Sequence, residues 1–177
     1  FDEDGSTTLD LDRYVTDVDD TDFSWTVTRG AKVAVRIDPA ANTAEFSAPK
    51  NWSGTKEVTF TVRDKAGASA SGTVRVTVRS VNDPPALKAL PEISFVTGGS
   101  KRLALQRTVT DVDHSFADLT WSATGNVNVR VTFEGGEAIF SAAEGWTGSE
   151  PLALTVRDPE GGQATASLRV TVKPVTQ

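Results

Sequence analysis

The sequence predicts an all-β chain: two tandem seven-stranded Greek-key β-sandwiches, set end to end. Three observations carry this expectation. The chain repeats itself at an offset of 94 residues, so each copy is the size of one small domain. Short runs alternate apolar and polar residues with a period of two. No stretch sustains a period of 3.6, so almost no helix is expected.

The repeat is read directly from the residues. Val15-Thr16-Asp17-Val18-Asp19 returns as Val109-Thr110-Asp111-Val112-Asp113, and Thr61-Val62-Arg63-Asp64 as Thr155-Val156-Arg157-Asp158. Phe1, Leu11, Phe46, Trp52, Gly54 and Val76 meet Phe95, Leu105, Phe140, Trp146, Gly148 and Val170. Trp25 meets Trp121 after a two-residue slip.

The predicted strands of the first copy run from Thr8 to Val15, Phe23 to Thr28, Val33 to Ile37, Thr43 to Ser47, Val58 to Val62 and Thr73 to Val78. Each alternates, with a spacing of about 8–12 residues that suits a sandwich. Asp38-Pro39-Ala40-Ala41-Asn42 has turn chemistry, because Pro presets φ and Asn tolerates the left-handed region. Gly135-Gly136 and Gly161-Gly162 read as hairpin turns. Trp25, Phe46, Phe60, Leu11 and Val76 should enter one core, and Trp121, Phe140, Leu154, Leu105 and Val170 the other.

Ser80-Val81-Asn82-Asp83-Pro84-Pro85 is the expected hinge, giving domains 1–83 and 84–177. The first copy lacks a counterpart of Pro85 to Ser94. Its first edge strand is therefore expected to be missing, and its sheet edge to be covered by an upstream linker. With no Met and no leader, the sequence reads as a piece of a longer chain.

Composition excludes several functions. Net charge is −6, with no basic stripe, which argues against nucleic acid. No apolar run is long enough for a membrane helix. Cysteine is absent, which removes disulfides, thiol catalysis and thiolate metal sites. One His, and carboxylates set at strand ends, offer no acid–base pair in a cleft, so no enzyme is expected. His114 stands where the first copy has Asp20 and reads as a solvated loop residue.

The acidic residues are clustered. Asp2-Glu3-Asp4 opens the first copy, Asp17 and Asp19 form a D-x-D repeated as Asp111 and Asp113, and Asp64 and Asp158 end equivalent strands. Asn82-Asp83 lies in the hinge. Taken singly, each is an ordinary turn residue. Gathered together, four or five carboxylates repel and need a cation, and an oxygen-only donor set selects Ca²⁺.

The second copy keeps its D-x-D and Asp158, but replaces Asp2-Glu3-Asp4-Gly5 by Val96-Thr97-Gly98-Gly99 and Val81-Asn82-Asp83 by Val175-Thr176-Gln177. Joint loss suggests that both elements serve one site. One complete junction is therefore expected, made of Glu3, Asp4, Asp2, Asn82, Asp83, Asp111, Asp113 and Asp158. Asp17, Asp19 and Asp64 make a half-site toward an upstream repeat, and no junction is expected after Gln177.

The segments VTDVDDTDFSWTV, FSAPKNWSGTKEVTFTVRD and TVRDKAGASASGTVRVTVRSVNDPP resemble cadherin repeats, and more closely the bacterial cadherin-like tandem repeats of large surface proteins. The resemblance spans nearly all of both copies. It implies a cadherin-like or Ig-like sandwich with Ca²⁺ between successive domains, and the same residues as ligands. Ser80 and Pro84 depart from the animal linker, and Asn51-Trp52-Ser53-Gly54 replaces the D-R-E loop, so one or two ions per junction are expected.

The expected function is a Ca²⁺-rigidified stalk or adhesion module, outside the cell or on its surface. Neighbouring repeats are the expected partners, with a surface or matrix polysaccharide or another adhesin outward. Two alternatives stand beside it. One is a carbohydrate-binding module using Trp52 or Trp146, against which each indole can simply plug the end of its sandwich. The other is a metal-free spacer.

Overall fold

The computed structural model describes residues 1–28 and 32–175. Two compact units divide between Val81 and Asn82. Both are built of strands, with three short 3₁₀ turns among the described residues.

The first unit holds β1 (Ser6–Asp10), β2 (Ser24–Thr28), β3 (Ala34–Asp38), β4 (Thr43–Ser47), β5 (Gly54–Arg63) and β6 (Ser69–Val78). They form two sheets, ordered β1-β4-β3 and β2-β5-β6. Consecutive strands β1 and β2 lie in different sheets, so the chain crosses the sandwich in Greek-key fashion. Alternation decides which side faces inward: Ala44 and Phe46 on β4 meet Val58 and Phe60 on β5 and Val76 on β6. Phe60 takes the edges of both Phe46 and Trp25, with ring centroids 6.0 and 6.4 Å away. Each such side chain removed from water contributes roughly 1.5–3 kcal/mol.

The second unit holds β7 (Ala86–Leu87), β8 (Ile93–Val96), β9 (Ser100–Ala104), β10 (Val109–Thr110), β11 (Thr120–Thr124), β12 (Val129–Glu134), β13 (Glu137–Ala142), β14 (Gly148–Arg157) and β15 (Gln163–Lys173). Its main sheets are β12-β13-β9 and β11-β14-β15-β8. Phe140, Leu154 and Val170 are completely buried at its centre. The repeat extends to register: Gly54 faces Val78 across β5 and β6, and Gly148 faces Val172 across β14 and β15.

Strand number differs from the expected seven per copy, with six in the first unit and nine in the second among the described residues. The second unit's opening segment divides into β7, paired with β10, and β8, which runs parallel to β15. In the first unit the parallel edge is reduced to one bridge, Asp2 with Arg79.

The expected strand from Thr8 to Val15 is corrected. It ends at Asp10, and Leu11–Tyr14 is a 3₁₀ turn. The Asp10 carboxylate accepts from the Asp12 N–H and starts the turn, and Leu11 drops into the core. Leu105 does the same at the corresponding place in the second unit. The turns read from sequence hold: Asn42 has φ 48°, and Gly135-Gly136, both at positive φ, form a two-residue hairpin between β12 and β13.

Candidate metal centre

The second unit gathers its acidic groups where the chain enters the sandwich. Asp111 and Asp113 leave the short strand β10, Asp158 follows β14, and Asn82-Asp83 lies alongside. Asp111 is an Asx anchor: its Oδ1 accepts from the N–H of Asp113 (3.0 Å) and of His114 (2.8 Å), and lies 3.3 Å from His114 Nδ1. Its side chain is only 1% exposed. Asp113 Oδ2 accepts from the Asp83 N–H at 2.7 Å.

Asp158 takes two bonds, from the Asn82 amide (2.9 Å) and from the Gly162 N–H (2.8 Å). The Asn82 amide does most to hold the Asp158 carboxyl below its ordinary value. Burial opposes this, and the backbone N–H groups of Gly162, Gly161 and Glu160 reinforce it. Asp158 is thus a carboxylate kept in its anionic form, 4% exposed.

Two oxygens in this cluster are buried without a hydrogen-bond partner: Asp111 Oδ2 and Asn82 Oδ1. Buried acceptors left unpaired cost free energy. Both belong to hard oxygen donors beside an anionic Asp158, and this is the donor chemistry that suits Ca²⁺. Among the described residues, Asp111, His114 and Asp158 bring one ligand atom each to within 4.8 Å of one another.

The three opening acids of the first unit are held on separate partners. Asp2 pairs with Arg79 at 2.8 Å. Asp4, at φ 60°, accepts from the Asn51 N–H at 2.8 Å and ties the turn that carries Trp52. Glu3 is the buried one; its Oε1 accepts from the Ser80 hydroxyl (3.1 Å) and the Val81 N–H (2.8 Å), at the last residues of the unit. The second copy has Gly98 and Gly145 at the places of Asp4 and Asn51, both also at positive φ. Backbone conformation therefore accounts for the change at Asp4.

Asp17 and Asp64 line one open hollow of about 180 Å³ with Ala68; Asp19 is not part of its lining. Asp17 Oδ1 accepts from the N–H of Asp19 and of Asp20, and these bonds, Asp19's first, lower its pKa. Asp64 Oδ1 accepts from the Ala68 N–H, as Asp158 does from Gly162. At the far end of the sequence, Thr176 and Gln177 lie outside the described residues.

Trp52 and Trp146 pack against the cores of their own units. Each indole lies over the glycine two residues on, Gly54 or Gly148, where a Cβ would sit 3.0 Å from the ring. This is the plug geometry, and it explains the W-x-G spacing.

His114 corrects the sequence reading. It is not a solvated loop residue: its side chain is 15% exposed and stands on Asp111. The available signal was its adjacency to the D-x-D. Glu150 was also missed. It is 8% exposed within β14 and accepts from the N–H groups of Val127, Asn128 and Val129. Lys56 occupies its place in the first copy, so the repeat concealed it.

A sequence profile of the bacterial Ig domain matches residues 1–77 and again 82–171. The chain belongs to the bacterial Ig-domain family. No curated protein matches this bacterial Ig-domain pair. Among solved structures it is similar to Drosophila N-cadherin EC1-4 (16% identity, TM-score 0.58), over 87% of this chain and 42% of that one. It is also similar to protocadherin gammaB7 EC3-6, solved as a cis-dimer (17% identity, TM-score 0.52), over 86% of this chain and 41% of that one. At these identities the likeness shows the fold, two Ig-like or cadherin-like domains in tandem. The bacterial Ig-domain chain spans about two fifths of each cadherin structure.

Proposed function

We propose that this chain is a stalk or adhesion module of an exported bacterial surface protein, stiffened by Ca²⁺ at its hinge. One observation carries the metal: Asp111 Oδ2 and Asn82 Oδ1 are buried, unpaired and adjacent to an anionic Asp158. Asn82, Asp83, Asp111, Asp113 and Asp158 are the proposed donors, with Glu3 as the contribution of the first unit. Asp2 and Asp4 do structural work at Arg79 and Asn51 and stand outside the donor set.

The action is mechanical. Without a cation the carboxylates repel and leave two acceptors unsatisfied. With a cation, the free energy of binding favours the one arrangement that assembles the donors. Family membership supports a place outside the cell, and the module's work is to space or present its neighbours.

Calorimetry with Ca²⁺ on the intact chain tests the metal; no heat at millimolar Ca²⁺ returns the metal-free spacer. Small-angle scattering with Ca²⁺ and with chelator tests the stiffening. An unchanged inter-unit dimension sinks the hinge. Asp111→Asn keeps the Asx anchor through its remaining oxygen, removes the charge, and should abolish both responses.

A further inference from the structure

We propose that the acidic pole of the second unit is a mixed nitrogen–oxygen site that takes a divalent transition metal, Zn²⁺ foremost, through the imidazole of His114. This rests on the reading that the pole holds a cation, and it names a second cation for it.

The geometry is already drawn together. A His114 ring nitrogen, an Asp111 oxygen and an Asp158 oxygen stand within 4.8 Å of one another. Zinc bonds of about 2.0–2.2 Å need these atoms to close by only about an ångström. The backbone N–H groups of Asp113 and His114 fix Asp111 through Oδ1, as outer-shell partners fix a metal ligand. The fourth position has a candidate in Asn82 Oδ1. Its orphaned state, like that of Asp111 Oδ2, is independent of the clustering of charge.

The chemistry of the donors separates the two cations. Ca²⁺ takes oxygen and wants six to eight donors. Imidazole suits Zn²⁺ and its neighbours in the first transition row. The first unit has Asp20 where the second has His114, so its corresponding pole is all oxygen. One chain thus carries an oxygen pole and a nitrogen–oxygen pole on the same scaffold, and only the second answers to Zn²⁺. Micromolar Zn²⁺ should displace Ca²⁺ from it.

The test is a Zn²⁺ titration of the untagged full chain in metal-free buffer, beside a Ca²⁺ titration, for wild type and His114→Asp. The expected result is a loss of at least tenfold in Zn²⁺ affinity in H114D, with Ca²⁺ affinity kept or raised. His114 is the only histidine, so its ring resonances in the wild type give an independent reading and should shift on adding Zn²⁺. In chelator H114D should melt below the wild type, because it adds a carboxylate beside Asp111 and Asp158, and Ca²⁺ should recover the difference. Equal Zn²⁺ affinity in both chains, or unmoved ring resonances, overturns the proposal. Should Ca²⁺ still bind both chains in that event, the Ca²⁺ reading survives alone; should neither cation bind, both fall.

Discussion

Gly162 shows how little room the acidic pole leaves. A Cβ there would collide with Asp158 Oδ2 and come within 3.0 Å of Pro84 Cα and 3.1 Å of the Asn82 amide nitrogen. Ala68 holds the same place in the first unit and makes the same backbone bond, so the turn itself accepts alanine. Gly162→Ala should therefore act through crowding, at about 1–3 kcal/mol, lowering the melting temperature of the second unit and weakening Ca²⁺ binding. Gly72→Ala on β6 is the control: a Cβ there meets nothing within 4 Å, and its effect should stay within about 1 kcal/mol. Equal losses from both would show that Gly162 is not pressed by the linker.

Glu150 gives a second residue-scale prediction. Burial pushes its carboxyl up, but the N–H groups of Val129, Asn128 and Val127 and the Asn128 amide outweigh burial, and its pKa lies below the ordinary 4.5. A depressed folded pKa means stability present above pH 4.5 and lost as pH falls through the folded value, because the unfolded chain takes the proton first. Glu150→Gln should be less stable than wild type at neutral pH, and the gap should narrow in acid melts. A gap that stays constant down to pH 3 would remove the carboxylate from the account.

Among the elements, the strands were legible because each alternates and is bounded by turn residues. β4 runs from Thr43 to Ser47 as its alternation predicts, and β5 and β6 extend beyond the expected runs, where cross-strand hydroxyl pairs join Thr55 to Thr77 and Thr61 to Ser71. Periodicity failed after Asp10, because an Asx bond redirects the backbone while leaving the apolar residue where a strand would put it. The D-x-D and the linker were legible as acidic segments. Their geometry was not, since orphaned oxygens and the burial of His114 exist only once distant segments meet.

The loop joining β4 to β5 makes the same point. Trp52 could serve as a sugar platform, but its identical place beside a glycine in both copies favours a plug, and its packing over Gly54 supports the plug. Trp52→Ala and Trp146→Ala should each cost about 2–4 kcal/mol, near the range for deleting a large aromatic. Glycan binding lost from either variant at an unchanged melting temperature would count for the platform instead.

At the scale of the whole molecule, the two units should melt as two transitions with unequal metal dependence. Each has its own core. Asn82, Asp83, Asp111, Asp113 and Asp158 all belong to the second unit. Extracellular Ca²⁺ modules bind at roughly 10⁻⁴–10⁻³ M, so 10 mM Ca²⁺ is about 10–100 times the dissociation constant and stabilises by about 1.4–2.7 kcal/mol. For a domain of this size, that raises the melting temperature by roughly 6–20 °C. The second unit's transition should carry this shift, and the first unit's should move less. Scanning calorimetry with Ca²⁺ and with chelator, on wild type and Asp111→Asn, checks it. Equal shifts in both transitions that persist in D111N would mean general screening of an acidic chain, and would remove the metal centre from the mechanism.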